Sequence, residues 1–243
     1  MTKLPALALS APMIVAACSA GTTSSNAAPA DTKLDASGAH PATPVANAPF
    51  TVQEVANFKE PWAMAFIPGT DLALITERAG KLKLWQEGGA VLDVMGVPAV
   101  AYGGQGGFGD VILAPDFATT GNIYLSWVET GDGGTFGAVV ARAKLEQGGA
   151  PKLSGLQTIW TQSPKVTGRG HFSHRLAFSP DGKYLFIGSG ERQKFDPAQD
   201  MNANLGKILR LTPDGSIPAD NPFAEKGGVT AQIWSLGHRN ILG

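Results

Sequence analysis

Two histidines and two arginines crowd the start of one stretch of the chain, Gly168 to Gly190 (GRGHFSHRLAFSPDGKYLFIGSG): Arg169, His171, His174 and Arg175. They come just before two apolar runs that a Pro-Asp-Gly turn separates, so they stand at the entrance to a β-hairpin. Imidazole has an unperturbed pKa near ~6.5, which suits a general base near neutral pH. Taken by itself, such a histidine can equally be a loop or capping residue.

Two further loops combine polar side chains with glycine. In the segment Tyr102–Asp110 (YGGQGGFGD), five glycines surround Gln105, which would let the backbone approach a flat or bulky group closely. A flexible connecting loop is the alternative for that segment. The third cluster, Gly237–Asn240 (GHRN), follows an apolar strand, where a purely structural loop would need no charge.

The elements that must position these clusters are predicted to be short β-strands. Apolar or alternating runs occur at Trp62–Ile67, Leu72–Glu77 and Lys81–Trp85, separated by turn residues. The best helix candidate, Ala198–Leu211, has Gly206 in its middle and is better explained as a loop followed by a strand at Lys207–Leu211. We therefore expect no helix longer than two turns between residues 50 and 243.

A repeated phrase indicates how the strands are organised. An apolar strand, a proline turn and a second strand recur around Pro68, Pro115 and Pro180, with a longer second interval. A repeating antiparallel unit of roughly 45 residues is typical of a β-propeller blade, whereas a β-sandwich has no reason to repeat the phrase. The sequence thus predicts an all-β fold, a propeller of four-stranded antiparallel blades, of which this length accommodates about three to four.

Composition limits the possible partners. The chain has 243 residues, 43% of them hydrophobic, and a formal net charge of −1, so nothing indicates a nucleic-acid partner. Its 31 glycines and 17 prolines favour turns and short strands.

The N-terminal segment is predicted to direct export. Residues 1–18 carry one early positive charge and an apolar stretch too short to span a membrane, ending in Val-Ala-Ala-Cys18. This ending is typical of a lipoprotein signal, with Cys18 lipidated; a plain signal peptide is the alternative. Residues 19–49, rich in Ala, Thr, Ser and Pro, are predicted to be a disordered tether before a folded region at 50–243. As the only cysteine, Cys18 excludes an intrachain disulfide and a cysteine metal site.

Together the clusters resemble the PQQ-dependent soluble aldose sugar dehydrogenases, the glucose/sorbosone dehydrogenase family of six-bladed β-propellers. Five segments in the same order carry the resemblance over residues 50–243: PWAMAFIPG with LITERAGKLKLW, GGQGGFGDVILAPDF, GRGHFSHRLAFSPDGKYLFIGSGER, AQDMNANLGKILRLTPDGSIPADNPF and IWSLGHRN.

The resemblance implies a role for four residues. Gln105 corresponds to a glutamine that contacts the cofactor, and His171 to the catalytic base. Arg239 and Asn240 correspond to the pair that meets the quinone. The implied reaction oxidises an aldose at C1 to the lactone, with hydride transfer to PQQ. A planar quinone bearing three carboxylates needs cationic and amide donors, and these residue types supply them.

Several neighbouring polar residues receive no cofactor role in this interpretation. His174 stands where the family commonly has a small residue, and we expect it behind the site or at its rim without a catalytic role. Arg175 is expected to be a structural ion-pair partner. Asp200, Asn202 and Asn204 alternate like calcium ligands but lack the rest of an EF-hand loop, so a turn-stabilising polar loop is favoured and no metal ligand is assigned.

The resemblance also implies features outside the printed sequence. Calcium and part of the PQQ site would come from segments after Gly243, so this chain alone is expected to be an inactive fragment. The electron acceptor, a respiratory component or a dye, is not identified. A lipid anchor would hold the protein in the periplasm, and Ser19 after the cysteine favours the outer membrane by resemblance to enterobacterial sorting. The alternatives are a non-catalytic propeller lipoprotein that binds carbohydrate or protein, and a lactonase-type hydrolase, for which no converging set of metal-binding carboxylates is found.

Overall fold

The computed structural model describes residues 49–243. Residues 1–18 and nearly all of the predicted tether, 19–49, lie outside the described residues, so the export and lipidation predictions are not addressed by the fold. Within 49–243 there is no helix that is both long and apolar enough to cross a membrane.

Within residues 49–243, twelve strands form three four-stranded antiparallel sheets that follow one another along the chain. The first sheet contains β1 (Pro61–Phe66), β2 (Leu72–Glu77), β3 (Lys81–Gln86) and β4 (Val91–Asp93). The second contains β5 (Phe108–Leu113), β6 (Asn122–Thr130), β7 (Phe136–Glu146) and β8 (Lys152–Thr161). The third contains β9 (Ser173–Phe178), β10 (Leu185–Ser189), β11 (Lys207–Leu211) and β12 (Ile233–Leu236).

Helical structure in the described chain is confined to single turns. The one α-helical turn, α1 (Phe117–Thr120), ends at Gly121, whose φ of 70° a side chain would disfavour. Short 3₁₀ turns occur in the connections, at Asp132–Gly134, Asp196–Ala198, Ala224–Lys226 and Thr230–Gln232. The prediction that no helix exceeds two turns is therefore confirmed for the described residues.

The repeated phrase corresponds to the same turn in each sheet. The N–H of the first turn residue donates to the carbonyl at, or one residue before, the start of the second strand in all three: Ile67 to Leu72 at 2.9 Å, Ala114 to Asn122 at 3.0 Å, and Ser179 to Tyr184 at 2.9 Å. This equivalence confirms the repeat and the strand–turn–strand reading of the sequence.

Apolar cores between consecutive sheets hold the sheets together. On β6, Leu125 faces the first sheet, whereas its neighbour Tyr124 faces the third, as expected for side chains that alternate along a strand. The first strands β1, β5 and β9 contact one another in turn, while the backbone ladders between strands stay within each sheet. This is the blade arrangement of a propeller, with three blades in the part of the chain that the structure describes. Three blades agree with the predicted three to four, and a long β7–β8 hairpin and the connections at 190–206 and 212–232 use the remaining length.

Candidate cofactor-binding site

Four loops meet at one end of the second and third sheets. We call residues 102–107, 168–172, 190–195 and 237–242 the loop cluster. The last three lie together because the strands of the third sheet are antiparallel. The start of β9, the end of β10 and the end of β12 therefore lie at the same end of the sheet. The three polar clusters that stand apart in the sequence are thus brought to one place.

Gln105 ties the glycine-rich loop to the histidine loop. Its Oε1 accepts a hydrogen bond from the backbone N–H of His171 at 2.7 Å, and its own backbone N–H donates to the carbonyl of Arg169 at 2.8 Å. A backbone N–H can only donate, so the side-chain oxygen of Gln105 must face His171. The Gln105 amide nitrogen has no hydrogen-bond partner among residues 49–243 and remains available to donate.

The glycines around Gln105 are required by close packing. Gly104 has a φ of 57°, and a Cβ there would lie 2.5 Å from the carbonyl oxygen of Arg169. A Cβ at Gly106 would lie 3.0 Å from the ring of Phe172. The backbone does come close to bulky groups, as one of the two interpretations expects, and those groups belong to the neighbouring loop 168–172.

Asn240 fixes the last segment of the loop cluster against the start of β9. Its Oδ1 accepts from the backbone N–H of Ser173 at 3.1 Å and from the Ser173 hydroxyl at 3.2 Å. The Ser173 oxygen in turn accepts the backbone N–H of Ile241 at 2.6 Å. As with Gln105, the side-chain oxygen is used inside the protein, and the amide nitrogen has no partner in the described chain.

His171 is paired with a carboxylate that sequence reasoning missed. Nδ1 of His171 makes a short hydrogen bond with Oε1 of Glu191, and both residues are buried. The other carboxylate oxygen accepts the backbone N–H of Phe195 at 2.7 Å. Burial alone would raise the pKa of Glu191, but the bonds from His171 and from backbone N–H groups hold it below its usual range. The only signal in the sequence is an acidic residue two positions after the apolar strand β10.

A carboxylate on Nδ1 determines what the rest of the imidazole can do. The Nδ1 proton is held toward Glu191, which leaves Nε2 of a neutral His171 as a proton acceptor. Nε2 has no hydrogen-bond partner within the described chain. This is the arrangement of a histidine base oriented by an acidic partner.

The backbone around His171 is strained and is held by a buried arginine. His171 and Ser173 have φ angles of 47° and 58°, a region that residues with side chains seldom adopt. Arg192, only 1% exposed, donates from Nε to the carbonyl of Gly170 at 3.0 Å and lies over the Phe172 ring at 3.7 Å. Strain that persists under such constraint is characteristic of functional sites.

His174 does not lie at the rim, so that part of the prediction was wrong. Only 2% of it is exposed, and its ring stacks on Trp62 with centroids 6.0 Å apart. Its φ of 51° turns the side chain inward, into space that exists because residue 109 is glycine; a Cβ there would lie 1.8 Å from the imidazole. Burial, with smaller contributions from Arg175 and Arg192, lowers the pKa of His174 to about 3.

Arg239 and Arg175 have different surroundings. The Arg239 carbonyl accepts the backbone N–H of Glu191 at 2.9 Å, which places Arg239 in the loop cluster. Its guanidinium is exposed and makes no hydrogen bond or ion pair with any described residue. Arg175 pairs with the buried carboxylate of Asp110 at 3.2 Å, as expected for a structural ion pair.

The segment with alternating oxygen side chains forms a polar loop. Oδ1 of Asp200 accepts the backbone N–H of Asn202 at 2.9 Å, and Oδ1 of Asn204 accepts that of Ser163 at 2.7 Å. The Asp200 bond stabilises a turn, as the sequence favoured, whereas the Asn204 bond ties this loop to the segment after β8. The part of the chain from 49 onward contains no cluster of three or more metal-binding His, Cys, Asp or Glu side chains.

A cleft of about 230 Å³ opens within the loop cluster. Its walls combine two aromatic rings with two amide side chains whose N–H groups are free. Such walls suit a flat ligand that is rich in carbonyl and carboxylate acceptors, and the exposed guanidinium of Arg239 nearby adds a positive charge. Neither His171 nor Arg239 lines the cleft itself. The lining residues are Trp62, Gln105, Phe172, Ser173, His174, Asn240 and Leu242.

Comparison with known proteins gives consistent similarities. The family model described as Glucose / Sorbosone dehydrogenase matches residues 58–243. Over 185 residues the chain is 46% identical to the aldose sugar dehydrogenase YliI of Escherichia coli (strain K12), covering 75% of this chain and 49% of that protein. Over 215 residues it is 30% identical to quinoprotein glucose dehydrogenase B of Acinetobacter calcoaceticus, covering 78% and 44%. The chain spans about half the length of the curated relatives it matches.

Solved structures agree with these matches. The apo-form of the soluble aldose sugar dehydrogenase from Escherichia coli superposes with a TM-score of 0.70 at 46% identity, covering 74% of this chain and 52% of that one. The PQQ-bound aldose sugar dehydrogenase from Streptomyces coelicolor superposes with a TM-score of 0.67 at 28% identity, covering 76% and 53%.

Proposed function

This chain belongs to the glucose/sorbosone dehydrogenase family, and on that premise we propose that it forms part of a PQQ-dependent enzyme that oxidises aldose sugars at C1 to the lactone. The observation that carries the proposal is the pair Gln105 and Asn240. They come from loops far apart in the sequence, use their oxygens inside the protein, and leave their N–H groups free in one cleft.

The chemistry of the cleft fits PQQ, a planar quinone with three carboxylates. Gln105 and Asn240 would donate to its oxygens, and Arg239 would balance part of its negative charge. When bound, PQQ supplies the two-electron acceptor for the hydride that leaves the sugar C1. We include calcium in the proposal because the family resemblance pairs it with the quinone.

His171 is the proposed base. Its Nε2 would take the proton of the C1 hydroxyl as the hydride departs, so that the sugar loses two electrons and two hydrogens and becomes the lactone. Glu191 keeps the other ring proton on Nδ1 and stabilises the imidazolium that forms, which makes it a positioning residue. A proton and a hydride leave together, so the charge on the sugar stays balanced.

The location and partners belong to the same proposal. We propose that Cys18 is lipidated and holds the protein at a periplasmic membrane face, from which electrons pass to an acceptor whose identity is open. Labelling of the expressed protein with a palmitate analogue tests the anchor. An unlabelled mature protein that begins after a residue other than Ala17 would refute it.

The function is tested with the full-length gene product, reconstituted with PQQ and Ca²⁺ and supplied with aldoses and a redox dye. We expect sugar-dependent dye reduction only when PQQ is present. His171→Gln should retain PQQ binding, measured by titration, and lose roughly 10²–10⁴ in turnover, the usual contribution of a positioned base. If the wild-type protein reduces no dye with any aldose, a binding protein without catalysis is the better interpretation.

A further inference from the structure

One side-chain nitrogen in the cleft has no role in the function proposed above. His174 is 2% exposed, yet it lines the cleft beside Gln105 and Asn240. Its Nδ1 lies 2.9 Å from the hydroxyl oxygen of Ser126. Its Nε2 has no hydrogen-bond partner in residues 49–243. Because the His174 ring borders the cleft, this nitrogen can be paired by a group that enters the cleft.

The hydrogen bonds around Ser126 determine which nitrogen carries the proton. The Ser126 oxygen accepts the backbone N–H of Asp110 at 2.8 Å, and its hydroxyl donates to the carbonyl of His174 at 2.8 Å. That hydroxyl has only one hydrogen, so the contact with Nδ1 is satisfied when Nδ1 donates. If Nδ1 were unprotonated, the Ser126 hydroxyl would have to donate to it, and the His174 carbonyl would lose this donor. Nε2 is therefore the unprotonated nitrogen and a hydrogen-bond acceptor.

The other polar side chains of the cleft have different roles. Gln105 and Asn240 present donors, and their oxygens already accept bonds from the protein. The Ser173 hydroxyl donates to Asn240 and accepts from Ile241. Among the described lining residues, Nε2 of His174 is thus the side-chain acceptor that still lacks a donor. The carbonyl and carboxylate oxygens of a quinone match the amide N–H groups, whereas Nε2 needs a ligand donor, such as a sugar hydroxyl.

We propose that Nε2 of His174 accepts a hydrogen bond from a hydroxyl group of the aldose other than the one oxidised, and so helps to determine which sugars the site prefers. This inference rests on the proposed function. Because the pKa of His174 is lowered to about 3, the ring stays neutral, and Nε2 stays an acceptor, throughout the pH range in which such an enzyme works.

Two substitutions of His174 test the contributions of its two ring nitrogens separately. In His174→Asn the amide ends two bonds beyond Cβ, where Nδ1 lies, so it can still donate to Ser126 but has nothing at Nε2. Asparagine also tolerates the positive φ of 51° at this position. In His174→Gln the amide ends three bonds beyond Cβ, near Nε2, so an acceptor can remain while the Ser126 bond is lost.

The experiment measures sugar binding by calorimetry, KM by dye reduction, PQQ affinity by titration, and thermal stability. His174→Asn should weaken glucose binding and raise KM by roughly 3- to 10-fold, as expected for one hydrogen bond, with a smaller effect on turnover at saturating sugar. His174→Gln should raise KM less, although it loses more thermal stability. The monodeoxy analogue of glucose that lacks the contacting hydroxyl should bind the wild type more weakly than glucose does. To His174→Asn, this analogue and glucose should bind equally well.

The outcomes distinguish the two proposals. If His174→Asn binds glucose and every monodeoxy analogue as the wild type does, the inference is wrong. If it weakens PQQ binding instead of sugar binding, the hydroxyl assignment is wrong and the nitrogen serves the cofactor. If calorimetry shows the expected weakening while no protein reduces dye, the His174 contact stands and the dehydrogenase function fails.

Discussion

The three sheets and the loop cluster are stabilised in different ways. Leu125 and its neighbours on β6 are buried against the adjacent sheets, and their backbone hydrogen bonds follow the regular ladder between strands. The loop cluster instead buries a carboxylate, Glu191, and a guanidinium, Arg192, in backbone that is partly left-handed. Apolar burial is non-directional and tolerates exchange of similar side chains, whereas a buried polar group costs free energy unless each partner is in place. Exchanges between similar apolar side chains in the sheets should therefore leave the chemistry of the site unchanged. Loss of a buried polar side chain in the loop cluster should alter it.

The largest difference between the two regions should appear when an arginine is removed from each. Arg192→Met removes the donor that the carbonyls of Gly168, Gly170 and Phe136 share. Gly170 is buried, whereas Gly168 is exposed and the Phe136 carbonyl still accepts the backbone N–H of Val166. Because a buried unpaired group costs about 1–3 kcal/mol, we expect the free energy of unfolding to fall by about that amount, with loss of PQQ affinity. Urea unfolding and PQQ titration measure both.

Arg142→Met is the matched control, since Arg142 bonds Gln157 at 3.0 Å on the exposed side of the second sheet. Its unfolding free energy should change by about 0.5 kcal/mol or less. Equal losses in the two variants would show that the loop cluster has no special dependence on its polar contacts.

The next comparison replaces one glutamate in the loop cluster and one in the second sheet. Glu191→Gln should lower turnover on the order of 10²-fold, because the amide cannot stabilise a charged His171 or enforce its tautomer, while PQQ still binds. Glu191→Asp should recover part of the turnover, which a purely structural role would not predict. Glu146→Gln, at the end of β7 where Glu146 accepts from Ser154, should keep full turnover. Wild-type kinetics in Glu191→Gln would remove it from the mechanism.

The smallest effect concerns stability against pH. The pKa of His174 is about 3 in the folded protein against 6.5 for a free histidine, so between these values the unfolded chain binds a proton that the folded protein does not. Stability is then fully present above about pH 6.5 and falls with decreasing pH, by up to about 1.4 kcal/mol per unit. Because the lowered pKa of Glu191 adds its own loss below its usual range, the measurement is best made above about pH 5.

The His174→Asn variant isolates that contribution. Urea unfolding of both proteins from about pH 7 to 5 should show a difference in free energy that shrinks steadily as the pH falls. A difference that stays constant over this range would mean that His174 titrates normally in the folded protein.

The same contrast explains what the sequence could predict. The strands Leu72–Glu77 and Lys207–Leu211 have the predicted bounds, because alternation and turn residues are local signals. Gln105, His171 and Asn240 were singled out by residue type, neighbours and family resemblance, and the structure brings their loops together. Their roles in catalysis and cofactor binding remain predictions.

The features that could not be predicted from the sequence depend on contacts between distant segments. Glu191 is found only when the loop after β10 folds back onto His171. His174 was expected behind the site or at its rim, and it is buried because Gly109, on another sheet, leaves room for its ring. Arg175 was expected in an ion pair, but its partner Asp110 follows only from the packing of β5 beside β9. In each case the deciding neighbour lies on another strand or loop.

The central claim is that the loop cluster presents free amide N–H groups to PQQ, and Gln105→Glu tests it most directly. The carboxylate can still accept the backbone N–H of His171, but it replaces the free donor with a negative oxygen. We predict that titration of the full-length protein with PQQ gives an affinity at least about tenfold weaker than that of the wild type, with thermal stability largely retained. Gln157→Glu, on the second sheet, should bind PQQ normally. Unchanged PQQ affinity in Gln105→Glu would contradict the account.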